Sequence, residues 1–233
     1  IRDKENSFKF YPTTKGLTLA GKNVTLGYSC FSLKTYKIIG EWENLDSEYR
    51  LNWIQYINSY QKNYDYFPLN SFVDLQYLNH FFRAKNKRIH RDIAKTLIKK
   101  KKFETKKTES LRHIRSETKQ SIATINQAGS FNSKLYTDFP NSELEINLFL
   151  DSLDWNFPWQ AGAQFASLCV FTNTQIKDLN KKTINSNIIY QYLDHLVDKE
   201  TGCYFTGRVA KTSELINGAM KVVTGLDWID KWH

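Results

Sequence analysis

Apolar positions in this chain recur every three to four residues along most of its length, the period of an amphipathic helix. "NVTLGYSCFSLKTYKIIG" places Val24, Leu26, Phe31, Leu33, Tyr36 and Ile38 around a helix that Gly40 closes. "DSEYRLNWIQYINSYQK" opens on an Asp or Ser cap and sets Leu51, Ile54, Ile57 and Tyr60 on one stripe. The two read as a helical hairpin. The same spacing predicts helices near residues 72–83, 86–102, 109–128, 142–153, 158–174, 184–197 and 211–224. No run alternates convincingly as a strand would, and no Asn-Gly or Asp-Gly turn joins two such runs. The expected fold class is all-α.

The helices carry a weak repeat. "GYSCFSL" from Gly27 is similar to "GAQFASL" from Gly162, and "QYIN" at Gln55 to "QYLD" at Gln191. The offsets nearly agree, and both second helices run into loops with an aromatic pair, "YDYF" and "GCYF". A third copy fits "SETKQSIATINQAG" followed by "EINLFLDSL", with Phe149-Leu150-Asp151 where Tyr192-Leu193-Asp194 stand. "SELINGAMKVVTG" supplies a fourth first helix. Chance similarity among amphipathic helices is the competing explanation.

Repeated hairpins close into an open superhelix or into a ring with first helices inside and second helices outside. Small residues near the starts of first helices (Gly27, Ala161, Gly162, Gly218) favour tight convergence. With "YSCFSLKT", "SETKQSIA", "LDWNFPWQAGAQ" and "INGAMKV", the pattern over residues 16–228 resembles the α/α-toroid superfamily, which includes terpenoid cyclase and protein prenyltransferase relatives, polysaccharide lyases and glycoside hydrolases. The resemblance is one of fold, and fold does not fix function. It implies a single toroid-like domain over residues 1–233. The ring is expected to be incomplete, with an upstream segment ahead of Ile1.

Charge changes this picture at one place. The net charge is +9, yet the segment 83–107, "RAKNKRIHRDIAKTLIKKKKFETKK", holds 12 Lys and Arg against 2 acids, which leaves the remainder close to neutral. The segment reads as a helical excursion outside the ring, either simply solvated or making a polyanion or membrane-surface contact. Ile89, Ile93, Leu97 and Ile98 give it one face that can dock. Three cysteines without CxxC spacing, Cys30, Cys169 and Cys203, read as buried thiols. No metal site or cofactor is expected. No apolar run approaches the roughly 18 to 20 residues of a membrane span, so the expected location is cytoplasmic.

Candidate chemistry gathers around "DWNFPWQAGAQ", where proline is tolerated in a first helical turn and Asn156 is the expected cap. Gln160 and Gln164 lie one turn apart, with Trp155 and Trp159 ahead of them. In the toroid family that end of the inner helices lines a central pocket. The resemblance therefore implies that Tyr28, Gln120, Trp155, Trp159, Gln160, Gln164, Asn217 and Lys221 bind substrate. Amides and indoles suit a sugar, whose hydroxyls want hydrogen-bond partners and whose C–H faces stack on aromatic rings. Core packing of the tryptophans is the alternative.

Three chemistries remain open. "DSLD" has the wrong spacing for an alkene-protonating DxDD motif, and no aspartate-rich or zinc cluster serves a prenyl diphosphate. Glycoside hydrolysis needs two carboxyls roughly 5 to 10 Å apart; Glu117, Asp154 and Glu214 are the candidates, with Glu117 the best acid–base. Lyase chemistry needs a base and a neutralising partner, for which Tyr28, His113, Tyr204, Arg208, Asn217 and Lys221 are available. His113 and His195 read better as packing or surface residues. The expected function is glycan handling in a polar, aromatic pocket by an enzyme, with a small-molecule or glycan partner; the alternatives are a non-catalytic helical-repeat binding protein and a terpenoid or prenyltransferase-like enzyme that lacks the usual acidic motif.

Overall fold

Each segment that periodicity assigns to helix contains one in the computed structural model, which describes residues 2–3, 7–13, 15–86, 89–99, 105–175, 186–207 and 211–231. In chain order the helices are α1 (Leu19–Asn23), α2 (Leu26–Ile38), α3 (Ser47–Asn58), α4 (Leu75–Asn86), α5 (Ile89–Lys99), α6 (Lys106–Gln127), α7 (Glu143–Asp151), α8 (Pro158–Gln175), α9 (Ser186–Gln191) and α10 (Thr212–Trp228). A 3-10 turn, Tyr192–His195, continues α9. Among the described residues β pairing is limited to three isolated bridges. The fold is all-α. The chain divides into two compact units, Ile1–Lys134 and Leu135–His233.

Local chemistry accounts for most boundaries. The Asp46 carboxylate accepts from the N–H groups of Glu48 and Tyr49, capping α3 as expected. Helix α6 begins earlier than its periodicity implies, because Thr105 accepts from the Thr108 N–H and captures an extra turn of polar residues. The segment expected to open a third repeat, from Ser116, therefore lies in mid-helix. Helix α1, five residues capped by Thr18, was not expected, since so short an element shows no period.

In the N-terminal unit α6 packs against α2, α3 and α4. Trp53 on α3 is fully buried, and its indole N–H donates to Ser29 Oγ on α2 at 2.8 Å. Phe10 stacks on the same indole with centroids 4.9 Å apart, while Tyr36 and Trp42 meet it edge-on. A second cluster joins Val73, Leu78 and Ile114 beneath Phe67, Phe81 and Phe82.

In the C-terminal unit the main contact is α8 against α10. It is a glycine seam. A Cβ placed on Gly162 would stand 2.8 Å from the Gly218 carbonyl oxygen, and one on Gly218 would stand 2.8 Å from the carbonyl carbon and Cβ of Pro158. Further along, a Cβ on Gly225 would meet Phe165 at 3.0 Å. Backbones at this distance exclude any side chain, so the small residues noted in the sequence here set how closely the helices approach. Ile146, Leu150, Trp155, Ile189, Leu193 and Val222 complete the surrounding core.

Replacing Gly218 by Ala should destabilise the protein by about 1–3 kcal/mol, the usual cost of overpacking. Chemical denaturation would measure it. Replacing Gly129, which has φ +78° and nothing within 4 Å of its Cβ position, should leave the core packing intact and cost only turn strain.

Candidate functional site

Asp74 organises a cleft in the N-terminal unit. It precedes α4, and its Oδ1 accepts from the Tyr77 N–H at 3.1 Å, as an N-cap does. Its other oxygen reaches back 49 positions to the start of α2. There Oδ2 accepts from the Thr25 N–H (2.9 Å), the Leu26 N–H (3.0 Å) and the Thr25 hydroxyl (2.6 Å). One buried carboxylate thus caps two helices.

The hydrogen bonds beyond Thr25 have a fixed direction. Thr25 gives its only hydroxyl proton to Asp74, so it accepts from the Tyr60 hydroxyl at 3.0 Å. Tyr60 has then spent its own proton, and the 2.9 Å contact between Tyr56 and Tyr60 has Tyr56 as donor. The chain runs Tyr56 to Tyr60 to Thr25 to Asp74. Burial raises the Tyr56 and Tyr60 pKa values, and Tyr56 is raised further by its bond to Tyr60. Both phenols stay protonated at neutral pH.

The loop between α3 and α4 supplies the rest of the wall. The Val73 N–H donates to the Tyr60 carbonyl at 2.9 Å. Buried Gln61 donates to the carbonyls of Asn70 (2.8 Å) and Lys134 (2.6 Å) and accepts from the Lys134 N–H. These bonds tie the loop to itself and to Lys134, and beside it lies a cleft of about 330 Å³ lined by Thr25, Tyr60, Lys62, Tyr64, Asp74 and Gln76 among others. Hydroxyls, an amide and an ammonium line it. Lys62 has no ion pair with a described residue.

Glu117 is not among the residues that line the cleft. The neighbouring Thr118 hydroxyl accepts from the Phe72 N–H at 3.0 Å, which sets this part of α6 beside the segment leading to Asp74. The Glu117 carboxyl is half-buried, and desolvation followed by the Asp74 charge pushes its pKa up to about 7. A carboxyl so placed can hold or release a proton near neutral pH. Nearby Cys30 is pushed up to about 12 by burial and by Glu117, so it remains a thiol. His113 stacks on Phe81 at 5.7 Å, and burial lowers its pKa to about 4, which makes it a neutral packing residue.

The residues expected to share one pocket are divided between the units. Tyr28, Glu117 and Gln120 belong to the N-terminal unit, all half-buried. Gln120 Nε2 is buried and finds no hydrogen-bond partner among the described residues. The others belong to the C-terminal unit. Trp155 is core, 2% exposed, with its indole near the Tyr192 hydroxyl, whereas Trp159 is 47% exposed. Asp154, expected as a carboxyl for catalysis, accepts from the backbone and side-chain N–H groups of Asn156. Asn156 therefore closes that turn and does not cap α8.

On α10, Asn217 donates to the Ser213 carbonyl, and the Lys221 stem packs on the Gly162 side of the seam. Half-buried Glu214 lies seven positions before Lys221, on the same side of α10. Gln160 and Gln164 each stand two positions from Gly162, on the opposite arc of α8 from Lys221. Tyr204 is half-buried and His195 exposed; Arg208 lies outside the described residues. Among the described residues no group of three His, Cys, Asp or Glu side chains is arranged to hold a metal.

Sequence reasoning did not single out Thr25, Lys62, Tyr64 or Asp74. Asp74 directly ahead of "LQYLNHFF" is a readable helix-start signal, but nothing local joins it to Thr25.

A pH titration of stability tests the Glu117 environment. Because its folded pKa of about 7 exceeds the 4.5 of the exposed side chain, the folded protein holds the extra proton between those values. Stability attributable to Glu117 is present below about pH 4.5 and is lost as pH rises toward 7. Glu117→Gln should therefore gain on the wild type across that window, by on the order of 2 kcal/mol. An unchanged difference from acid to neutral pH would place Glu117 in water. No protein-family model, curated protein or solved structure matches this chain.

Proposed function

We propose that the chain is a glycan-handling protein and that the N-terminal unit binds a hydroxylated, monosaccharide-sized group in the cleft between Thr25, Tyr60, Lys62 and Asp74. The observation that carries this reading is the polar lining of the cleft, anchored by the hydroxyl chain that ends on Asp74. Its volume of about 330 Å³ falls in the lower part of the range for small-molecule sites. Tyr60 and Tyr64 offer ring surface for sugar C–H faces. Lys62 offers a charge for an acidic substituent. Such a lining is ill suited to an isoprenoid, which would need an apolar cavity.

Binding without turnover is the reading favoured by Asp74. All four of its hydrogen bonds are made to the protein, so it is not free to act as a nucleophile or base. A second reading, acid–base chemistry of the lyase or hydrolase kind, has for support only the raised pKa of Glu117, a side chain that does not line the cleft and would have to reach a sugar bound beyond it. We place both within an incomplete α/α toroid. Packing of α2 on α6, and of α8 on α10, pairs helices that the repeat phase makes equivalent, which supports that architecture.

Calorimetry against a panel of neutral, amino and uronic sugars and their short oligomers tests the proposal. At least one class should bind, and Tyr60→Phe should weaken it by about 0.5–1.5 kcal/mol by removing the hydroxyl that orders Thr25 at the cleft. Lys62→Ala should weaken acidic sugars selectively. Absence of binding across the panel would overturn the proposal. If a bound sugar is converted, Glu117→Gln should stop conversion while preserving binding; conversion unaffected by that change would remove the second reading.

A further inference from the structure

Helix α5 presents its aliphatic side chains to solvent. Ile89, Ile93 and Leu97 fall four residues apart on one stripe with Ile98 at its flank, and they are 38%, 43%, 76% and 81% exposed. Among the described residues none of these four belongs to the unit's aromatic and aliphatic clusters. The surrounding segment, residues 83–107, carries 12 Lys and Arg against 2 acids. Helix α5 thus carries an exposed aliphatic stripe within a strongly cationic segment.

We infer that α5 docks on the surface of an anionic phospholipid bilayer, with Ile89, Ile93, Leu97 and Ile98 set into the boundary between headgroups and acyl chains. Charge and apolarity together select this occupant. Duplex nucleic acid or a sulfated polysaccharide would match the cationic charge but leave the stripe in water. A neutral membrane or an apolar protein groove would cover the stripe but leave the charge unmatched. An anionic bilayer satisfies both, because basic groups meet its headgroup charge while aliphatic side chains enter the interface. At 11 residues the helix is about 16 Å long, too short to cross the hydrocarbon core, so it lies in the membrane plane. No described helix is long and apolar enough to cross a membrane. The inference is independent of the sugar-binding cleft.

Sedimentation of the full chain with vesicles tests it. Vesicles of phosphatidylserine in phosphatidylcholine should bind the protein, and pure phosphatidylcholine vesicles should bind it at least roughly tenfold more weakly. Leu97→Glu with Ile98→Glu, at two well-exposed positions, should keep the wild-type unfolding temperature yet lose roughly tenfold in binding to the anionic vesicles. Retention on heparin, which reads charge, should fall less. Equal binding to both kinds of vesicle, failure to bind either, or full anionic-vesicle binding by the double variant would each overturn the inference. The last result, with heparin or duplex DNA bound as tightly as lipid, would identify a polyanion surface that uses charge alone.

Discussion

The N-terminal unit depends on a single buried anion. Asp74 is 4% exposed, and a carboxylate so far from water is tolerated only when donors replace its hydration. Four do so, three of them backbone N–H groups at the first turns of α2 and α4, where the helix dipoles also favour negative charge. A single cap contributes about 0.5–2 kcal/mol. Here one side chain caps two helices and ties their starting points together. The cleft exists because of that junction: Thr25 and Asp74 form its floor, and the hydroxyls of Tyr60 and Tyr56 are ordered by what Thr25 can still accept.

The same anion sets the electrostatics of its surroundings. Asp74 is held by helix dipoles and hydrogen bonds, with no salt bridge to a cation among the described residues, and its charge acts on Glu117 in a poorly solvated part of α6. That field and desolvation push in one direction. His113, on the preceding turn of α6, experiences the opposite consequence of burial and loses its affinity for a proton. Two titratable groups on one helix are thus both neutral over part of the acid range, for the same physical reason.

The helices were legible because burial of one stripe imposes a period that survives in sequence. Ile54 and Ile57 announced α3 and Asp46 its start, whereas Leu51, placed on the same stripe by its spacing, is 55% exposed and the buried face is completed by Trp53. Gly162 and Gly218 were legible as signs of close approach, and they do meet. The cleft was not legible. Its walls come from residues near 25, 60 and 75, joined by hydrogen bonds such as Tyr60 to Thr25 that leave no local pattern. The tryptophans misdirected for a related reason: Trp155 and Trp159 stand four apart, yet the first precedes Pro158 in the turn and packs inward, whereas the second lies on α8 and remains largely exposed.

The glycine seam bears on the order in which the C-terminal unit can be made. From Phe165 to Phe171 every residue of α8 is buried, so this helix has no face suited to water over two turns. Much of its cover is α10, which is synthesised some 40 residues later. During synthesis α8 must wait with its apolar surface bare, because the glycines that receive it have not yet been added. Non-local partners of this kind slow folding and prolong the exposure of adhesive surface. The close fit that fixes the finished unit therefore leaves α8 without its cover until α10 has been made.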